Sequence, residues 1–66
     1  MSDLESLKAE IKKLSAKATQ AKMDLHDLSE ELPLQWQSIL RVAQHAYDSF
    51  AELEAKRAVL KSLESA

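Results

Sequence analysis

Residues Met23–Trp36, "MDLHDLSEELPLQW", contain the only proline of a 66-residue chain that has no glycine. Pro33 cannot donate a backbone hydrogen bond and biases Leu32 away from helical geometry, so a helix that reaches this stretch is expected to end here. Proline is well tolerated in the first turn of a helix, so a second helix can begin within a few residues. The stretch therefore predicts a bend at about residues 31–35. Without glycine, another residue must turn the chain.

The apolar residues before the bend recur at alternating intervals of three and four. This spacing is typical of a heptad seam, along which one helix packs against another. It predicts a first helix over about residues 3–31, and Ser2 with Glu5 has the spacing of a capping box at its start. Glu30 and Glu31 suit the positive end of the second helix better than the negative end of the first. The seam residues are Leu4, Leu7, Ile11, Leu14, Ala18, Ala21, Leu25, Leu28 and Leu32.

The same spacing continues after the bend and predicts a second helix over about residues 35–64. Arg57 occupies one seam position, where its aliphatic stem can lie along the seam while the guanidinium reaches water. The other seam residues are Ile39, Ala43, Ala46, Phe50, Leu53 and Leu60.

A short connection makes the two helices antiparallel neighbours. Folding the chain at the bend sets Leu14 near Leu53, and it places Ala18 and Ala21 opposite Ala46, Tyr47 and Phe50. We therefore expect a single all-α domain over residues 1–66. Its fold class is a coiled-coil-like helical hairpin in which small side chains of one helix face large ones of the other.

The size of this hairpin predicts association with another chain. Burying a leucine contributes about 1.5–3 kcal/mol, whereas ordering each residue costs about 1.5 kcal/mol. One seam cannot balance some sixty ordered residues, so more apolar surface must be covered. Two hairpins forming a four-helix bundle, or docking on a partner, would cover it. The available apolar residues beside the seam and on the far side are Leu40, Tyr47, Ala51, Ala58, Ala9, Ala16 and Met23.

The composition argues against several functions. The chain has no cysteine, so it cannot form disulfides or hold an iron–sulfur cluster through thiolates. It also lacks a glycine-rich phosphate loop, and two helices meeting at one seam enclose no catalytic cavity. No enzyme activity and no cofactor are therefore predicted. No apolar run approaches the length of a membrane span, and "MSDLESLKAE" lacks the apolar segment of a signal peptide, so a cytoplasmic protein is expected.

Four chemically mixed residues form an outward stripe on the first helix: Met23, His26, Asp27 and Glu30. Their spacing of i, i+3, i+4 and i+7 puts His26 and Glu30 side by side, one turn apart. A histidine and a carboxylate could hold a divalent ion weakly, especially if a second chain supplied further ligands. An exposed histidine beside acids is the more ordinary interpretation. No metal is predicted, and His26 is the weak candidate.

Nucleic acid and protein are the remaining partners to weigh. Lys8, Lys12, Lys13 and Lys17 could contact RNA in a four-helix bundle, but no aromatic residues are interleaved and nearby acids oppose phosphate binding. Protein docking is favoured. Trp36 at the bend could anchor an interface, because tryptophan is one of the residues that dominate binding energy; the alternative is that it closes the open end of the helix pair. The predicted docking residues are Met23, His26, Asp27, Glu30, Trp36 and Tyr47.

The segments "ATQAKMDLHDLSEELPLQWQSI", residues 18–39, and "VAQHAYDSFAEL", residues 42–53, carry a family resemblance. The chain resembles a small family of nitrogen-fixation-associated proteins, short helical hairpins described as Rop-like. The likeness covers nearly the whole chain. It implies a cytoplasmic accessory protein that binds the nitrogenase molybdenum–iron protein or a cofactor-assembly factor, and that stabilises or shields it. Metal binding, also implied for the family, carries over only to His26 and its acidic neighbours.

Overall fold

A computed structural model describes residues 3–65 as two long helices joined by a short bend. Helix α1 is Asp3–Glu31, a 3₁₀ turn covers Trp36–Ser38, and α2 is Ile39–Ser65. The helices run antiparallel and form a rod with extents of 49 × 16 × 13 Å. No strand occurs in residues 3–65, and the predicted all-α hairpin is confirmed. Ser2 of the predicted capping box lies outside the described residues.

The bend is held by two backbone hydrogen bonds on either side of Gln35. The N–H of Leu34 donates to Glu31 O at 2.9 Å, and the N–H of Ser38 donates to Gln35 O at 2.9 Å. Gln35 adopts a left-handed conformation with φ 62°, which costs a residue other than glycine about 1–2 kcal/mol. In a chain without glycine, Gln35 is the residue that turns the backbone.

The left-handed residue and the 3₁₀ turn shift the start of the second helix. It was predicted at about residue 35, whereas α-helical geometry begins at Ile39. Glu30 and Glu31 were expected to suit the start of the second helix, yet they end α1, whose last turn contains no basic residue. Two acids thus lie at the negative end of the α1 dipole, where they are destabilising.

The buried seam is formed largely by small side chains. Ala18 and Ala21 are each only 1% exposed and Ser49 only 3%. Leu14, Ala18 and Leu53 make one contiguous cluster with Ile11 packed against it, which places the predicted Leu14 and Leu53 together. The buried residues of the seam are Leu14, Ala18, Ala21, Leu28, Ala46, Ser49 and Leu53.

The predicted seam of α2 was wrong by one residue at two positions. Ser49 and Lys56 face α1, and the predicted Phe50 and Arg57 are exposed beside them. The side chains at a helix contact set the distance between the helix axes. Alanines at the same level of α1 bring the helices close, so the contact accommodates the hydroxymethyl group of Ser49 and excludes a phenyl ring.

Tyr47 was also expected to face the small residues of α1, and this expectation was wrong. Its side chain points away from the seam and is 71% exposed. Near the bend, the predicted seam residues Leu25, Leu32 and Ile39 are exposed as well. At the level of Ala18 and Ala21 small residues therefore face small residues, and the aromatic side chains of α2 lie outside the seam.

Two ion pairs cross between the antiparallel helices. Lys56 Nζ lies 2.9 Å from Glu10 Oε1, and Lys8 Nζ lies 3.6 Å from Glu64 Oε2. The hydrogen bond to the Glu10 carboxylate, helped by its negative charge, raises the pKa of Lys56 above its ordinary value. Over residues 3–65, neither helix combines the length and apolar character that crossing a membrane would require.

Candidate functional site

The outer stripe of α1, defined as Met23, His26, Asp27 and Glu30, is exposed along its whole length. Within it, His26 Nε2 lies 3.1 Å from Glu30 Oε1, the i, i+4 neighbours expected from the helical spacing. The hydroxyl of Ser29 donates to the carbonyl oxygen of His26 at 2.7 Å. The stripe thus presents one imidazole–carboxylate pair to solvent, flanked by a thioether and a second carboxylate.

This pair defines what the stripe can offer a metal ion. Within residues 3–65, no three His, Cys, Asp or Glu side chains come together in a group that could hold one. His26 and Glu30 supply one nitrogen and one oxygen donor. Any further ligand for a divalent ion would have to come from another molecule.

A second exposed surface, here called the apolar edge, runs along one side of the hairpin. It is a shallow groove of about 490 Å³ between the helices. Lys22 and Glu54 lie among its lining residues, so one cation and one anion accompany the apolar side chains. Its apolar members are Leu25, Ala43, Ala46, Tyr47, Phe50 and Ala51.

The third exposed surface is the tip, defined as Leu32, Leu34, Trp36 and Leu40. Trp36 is 60% exposed, Leu34 71% and Leu40 83%. The interpretation of Trp36 as a plug for the open end of the helix pair was therefore wrong. The left-handed turn at Gln35 and the following 3₁₀ turn present the indole to solvent at the end of the rod.

Beside the tip, a polar cleft brings acids of α1 towards the start of α2. Asp24, Asp27 and Glu31 line it opposite Ser38 and Arg41. The guanidinium of Arg41 donates to Ser38 Oγ at 3.4 Å. Residues 23–44 carry four acids and one arginine, a formal charge of −3. The end of the rod that contains the tip is therefore acidic.

The predicted docking residues are distributed over all three surfaces. Met23, His26, Asp27 and Glu30 form the outer stripe, Tyr47 lies on the apolar edge, and Trp36 lies on the tip. Sequence reasoning missed Leu34 as a member of the exposed set, and it assigned Phe50 to the seam. One spacing in the sequence does predict that Phe50 is exposed. A seam formed by Val42, Ala46, Ser49 and Leu53 leaves Phe50 outside it.

Comparison with known proteins yields close matches. A family model described as Rop-like matches residues 2–65. A UPF0437 protein of Azorhizobium caulinodans is 66% identical over 65 residues, covering 98% of this chain and 94% of the relative. A Frankia alni relative is named a UPF0437 protein in the nifX–nifW intergenic region. It is 45% identical over 51 residues, covering 77% of this chain and 62% of its own length.

A solved structure is similar as well. An NMR structure determined by a structural genomics consortium is of a protein 49% identical to this chain, with a TM-score of 0.85. The match covers 92% of this chain and 86% of the other. The hairpin architecture is thus shared with a relative whose fold was measured in solution.

Proposed function

This chain belongs to the Rop-like family, and on that premise we propose that it is a non-enzymatic accessory protein of nitrogen fixation. It binds a nitrogenase component, either the molybdenum–iron protein or a cofactor-assembly intermediate, and stabilises or shields it in the cytoplasm. The link to nitrogen fixation is supported by the Frankia alni relative, whose name places it between nifX and nifW. A Rop-like hairpin is not a known enzyme fold, which agrees with a binding role.

The observation that carries the proposal is the exposure of every aromatic side chain. The chain has one tryptophan, one tyrosine and one phenylalanine, and Trp36, Tyr47 and Phe50 are all exposed. Aromatic residues dominate the binding energy of protein interfaces. Exposed apolar patches rimmed by polar residues mark interaction sites on soluble proteins. The hairpin therefore has the surface of a docking protein.

The absence of cysteine limits what this docking can do for a metallocluster enzyme. Thiolates are the usual protein ligands of iron–sulfur clusters, and the chain contains none. We infer that the protein covers or stabilises a surface of its partner and does not carry a cluster itself.

Purification with an affinity-tagged chain tests the proposal. We expect the tagged chain to recover the molybdenum–iron protein, or a cofactor-assembly protein, from cells grown under nitrogen-fixing conditions. Biolayer interferometry with the purified partner should then show saturable binding. Trp36→Ala should bind at least about thirtyfold more weakly, because one aromatic anchor contributes about 2 kcal/mol or more. Recovery of no nitrogenase or assembly protein would count against the function.

We also propose that a second copy of the chain covers the apolar edge and so forms a four-helix bundle. A two-fold dimer presents the same patch twice. Lys22 and Glu54 give this patch no net charge that would repel an identical one. Covering Tyr47 and Phe50 would supply the apolar burial that one seam lacks, since small domains depend on such additions.

Metal binding by the outer stripe is the second candidate function. The distance of 3.1 Å between His26 Nε2 and Glu30 Oε1 favours it, because both atoms could ligate one divalent ion after a small rotation. Isothermal titration with nickel and with zinc should then give a binding isotherm that His26→Ala abolishes and that Glu30→Gln weakens. His45→Ala on α2 is the matched control and should bind as the wild type does. Equal heats for wild type and His26→Ala would remove this candidate.

RNA binding has weaker support than either alternative. The lysines that would contact phosphates are partly neutralised, because Lys8 is paired with Glu64 and Glu10 lies among the basic residues.

A further inference from the structure

We propose that the tip is the element that enters the partner, and that it fits an apolar groove rimmed by lysine and arginine side chains on another protein. The inference rests on the proposed docking function and assigns it to one end of the rod. The observation that supports it is that exposed large apolar side chains and the acidic last turns of α1 lie at the same end of the rod. The apolar side chains are Leu34, Trp36 and Leu40.

Three large apolar residues of the tip lie outside the buried seam of the hairpin. Leu34, Trp36 and Leu40 are exposed, and none of them belongs to the buried seam. Exposing these side chains has a cost, since each forfeits the burial that a leucine or tryptophan gains inside a protein. Three such residues gathered at one end of a narrow rod form a small apolar knob. A groove on another molecule is the complementary shape.

The backbone of the knob is ordered before any partner binds. The N–H of Leu34 is bonded to Glu31 O and the N–H of Ser38 to Gln35 O, each at 2.9 Å. Trp36 lies in the 3₁₀ turn that the second of these bonds closes. A preorganised loop loses little conformational entropy on binding, so more of its apolar burial is available as affinity.

The charges around the knob identify the chemistry of the partner. Glu30 and Glu31 end α1, where the dipole disfavours anions. Asp27 and Glu31 are like-charged i, i+4 neighbours, a spacing that is destabilising on a helix. Arg41 lies opposite Asp27 and Glu31 in the polar cleft and offsets part of this cost. One cation does not neutralise the four acids of residues 23–44, so an electrostatic cost remains at this end. A basic rim on the partner would relieve it and orient the encounter.

The same charges exclude other partners for the knob. Residues 23–44 have a formal charge of −3, and nucleic acids and anionic lipid surfaces present negative charge throughout. Their phosphates would be repelled by the acids beside Trp36. A protein groove combines apolar walls with fixed cations, so it is the partner class that both observations favour.

The test compares two ends of the rod for binding to the purified molybdenum–iron protein, or to the cofactor-assembly protein if that is what the tagged chain recovers. The tip variant is Leu34→Ser with Trp36→Ser, and the matched control is Val59→Ser with Leu63→Ser, two exposed apolar residues at the other end. A charge pair completes the set: Asp27→Lys with Glu31→Lys near the tip, and Lys12→Glu with Lys13→Glu as its control. Circular dichroism and light scattering measure whether each variant keeps its helicity and its oligomeric state.

We expect the tip variant to weaken binding by at least about thirtyfold, with the apolar control within about twofold of wild type. The tip charge reversal should weaken binding by about tenfold at low salt and reduce its salt dependence, whereas its control should not. If wild type binds and the tip variants bind equally well, the tip assignment is overturned and the proposed function stands. If wild type binds no nitrogenase component, both fall. A tip variant that alters only the oligomeric state assigns the knob to self-association and also overturns the proposal.

Discussion

The seam contains many small side chains, whereas the exposed end of the rod carries large ones. Four of the buried positions are alanine or serine, namely Ala18, Ala21, Ala46 and Ser49. Meanwhile eleven large apolar side chains, including Trp36, are exposed among the described residues. Small residues let the two helices approach closely, so the hairpin forms with few large groups inside. The comparison teaches that the fold buries few of its large apolar groups, chiefly Leu14, Leu28 and Leu53, and leaves the others for contacts with other molecules.

The first prediction concerns removal of the aromatic residues of the apolar edge. Tyr47→Ser with Phe50→Ser should weaken self-association by at least about 4 kcal/mol, roughly a thousandfold or more in the dissociation constant, because each copy in the two-fold dimer loses both aromatic anchors. Sedimentation equilibrium over a range of concentrations measures this change. Val59→Ser with Leu63→Ser, away from the edge, should leave the dissociation constant unchanged. A wild-type chain that light scattering finds folded and monomeric at micromolar concentration would contradict the prediction.

The second comparison sets a buried leucine against an exposed one. Leu53→Ala empties a position in the Leu14–Ala18–Leu53 cluster and should cost about 2–5 kcal/mol of the free energy of unfolding. Leu40→Ala removes the same atoms from the tip, where the side chain is exposed, and should change it by less than about 0.5 kcal/mol. Thermal melts followed by circular dichroism at one fixed concentration compare the two. Equal losses would show that Leu40 is covered in solution.

The sequence predicted the architecture well because its signals are local. A heptad pattern in α1 and one proline at the bend are enough to predict two antiparallel helices. The seam of α2 was less predictable, since Ser49 and Phe50 both fit a spacing of three or four from their neighbours. Hydropathy favours the phenylalanine at a buried position. Serine is buried instead, because the two helices approach closely at the alanines of α1. The distance between the helices depends on both of them, so the pattern of α2 alone does not predict it.

The candidate site was predictable only where it follows helical periodicity. The contact between His26 and Glu30 follows from their i, i+4 spacing. The exposure of Trp36 depends on the left-handed backbone of Gln35, and no propensity marks a glutamine for that conformation. The exposure of side chains at the bend was therefore not predictable from the sequence.

The third prediction concerns Ser49, the one buried polar side chain among the described residues. Ser49 is buried, and its hydroxyl has no hydrogen-bond partner among the described residues. An unpaired buried hydroxyl is costly, so Ser49→Ala should raise the free energy of unfolding by about 1 kcal/mol. Ser29→Ala is the control: its hydroxyl is exposed and bonded to the His26 carbonyl, so no gain is expected. A chemical-denaturation midpoint that falls in Ser49→Ala would mean that this hydroxyl is satisfied in solution.

The smallest expected effect is the pH dependence of the ion pair that borders the seam. Glu10 raises the pKa of Lys56 above 10.5, chiefly by accepting its hydrogen bond. The folded chain then holds this proton more tightly than the unfolded chain. The contribution of the pair is therefore complete below about pH 10.5 and is lost as the pH rises through the higher folded pKa.

A double-mutant cycle isolates this pair from every other group that titrates in the same range. It consists of wild type, Lys56→Gln, Glu10→Gln and the double variant, with unfolding measured at about pH 8 and about pH 12. We expect a small favourable coupling at the lower pH, because both side chains are about half exposed, and none at the higher pH. A coupling of equal size at both would show that the contact acts through the packing of the lysine stem. In that case Lys56 would belong to the seam by its carbon atoms rather than by its charge.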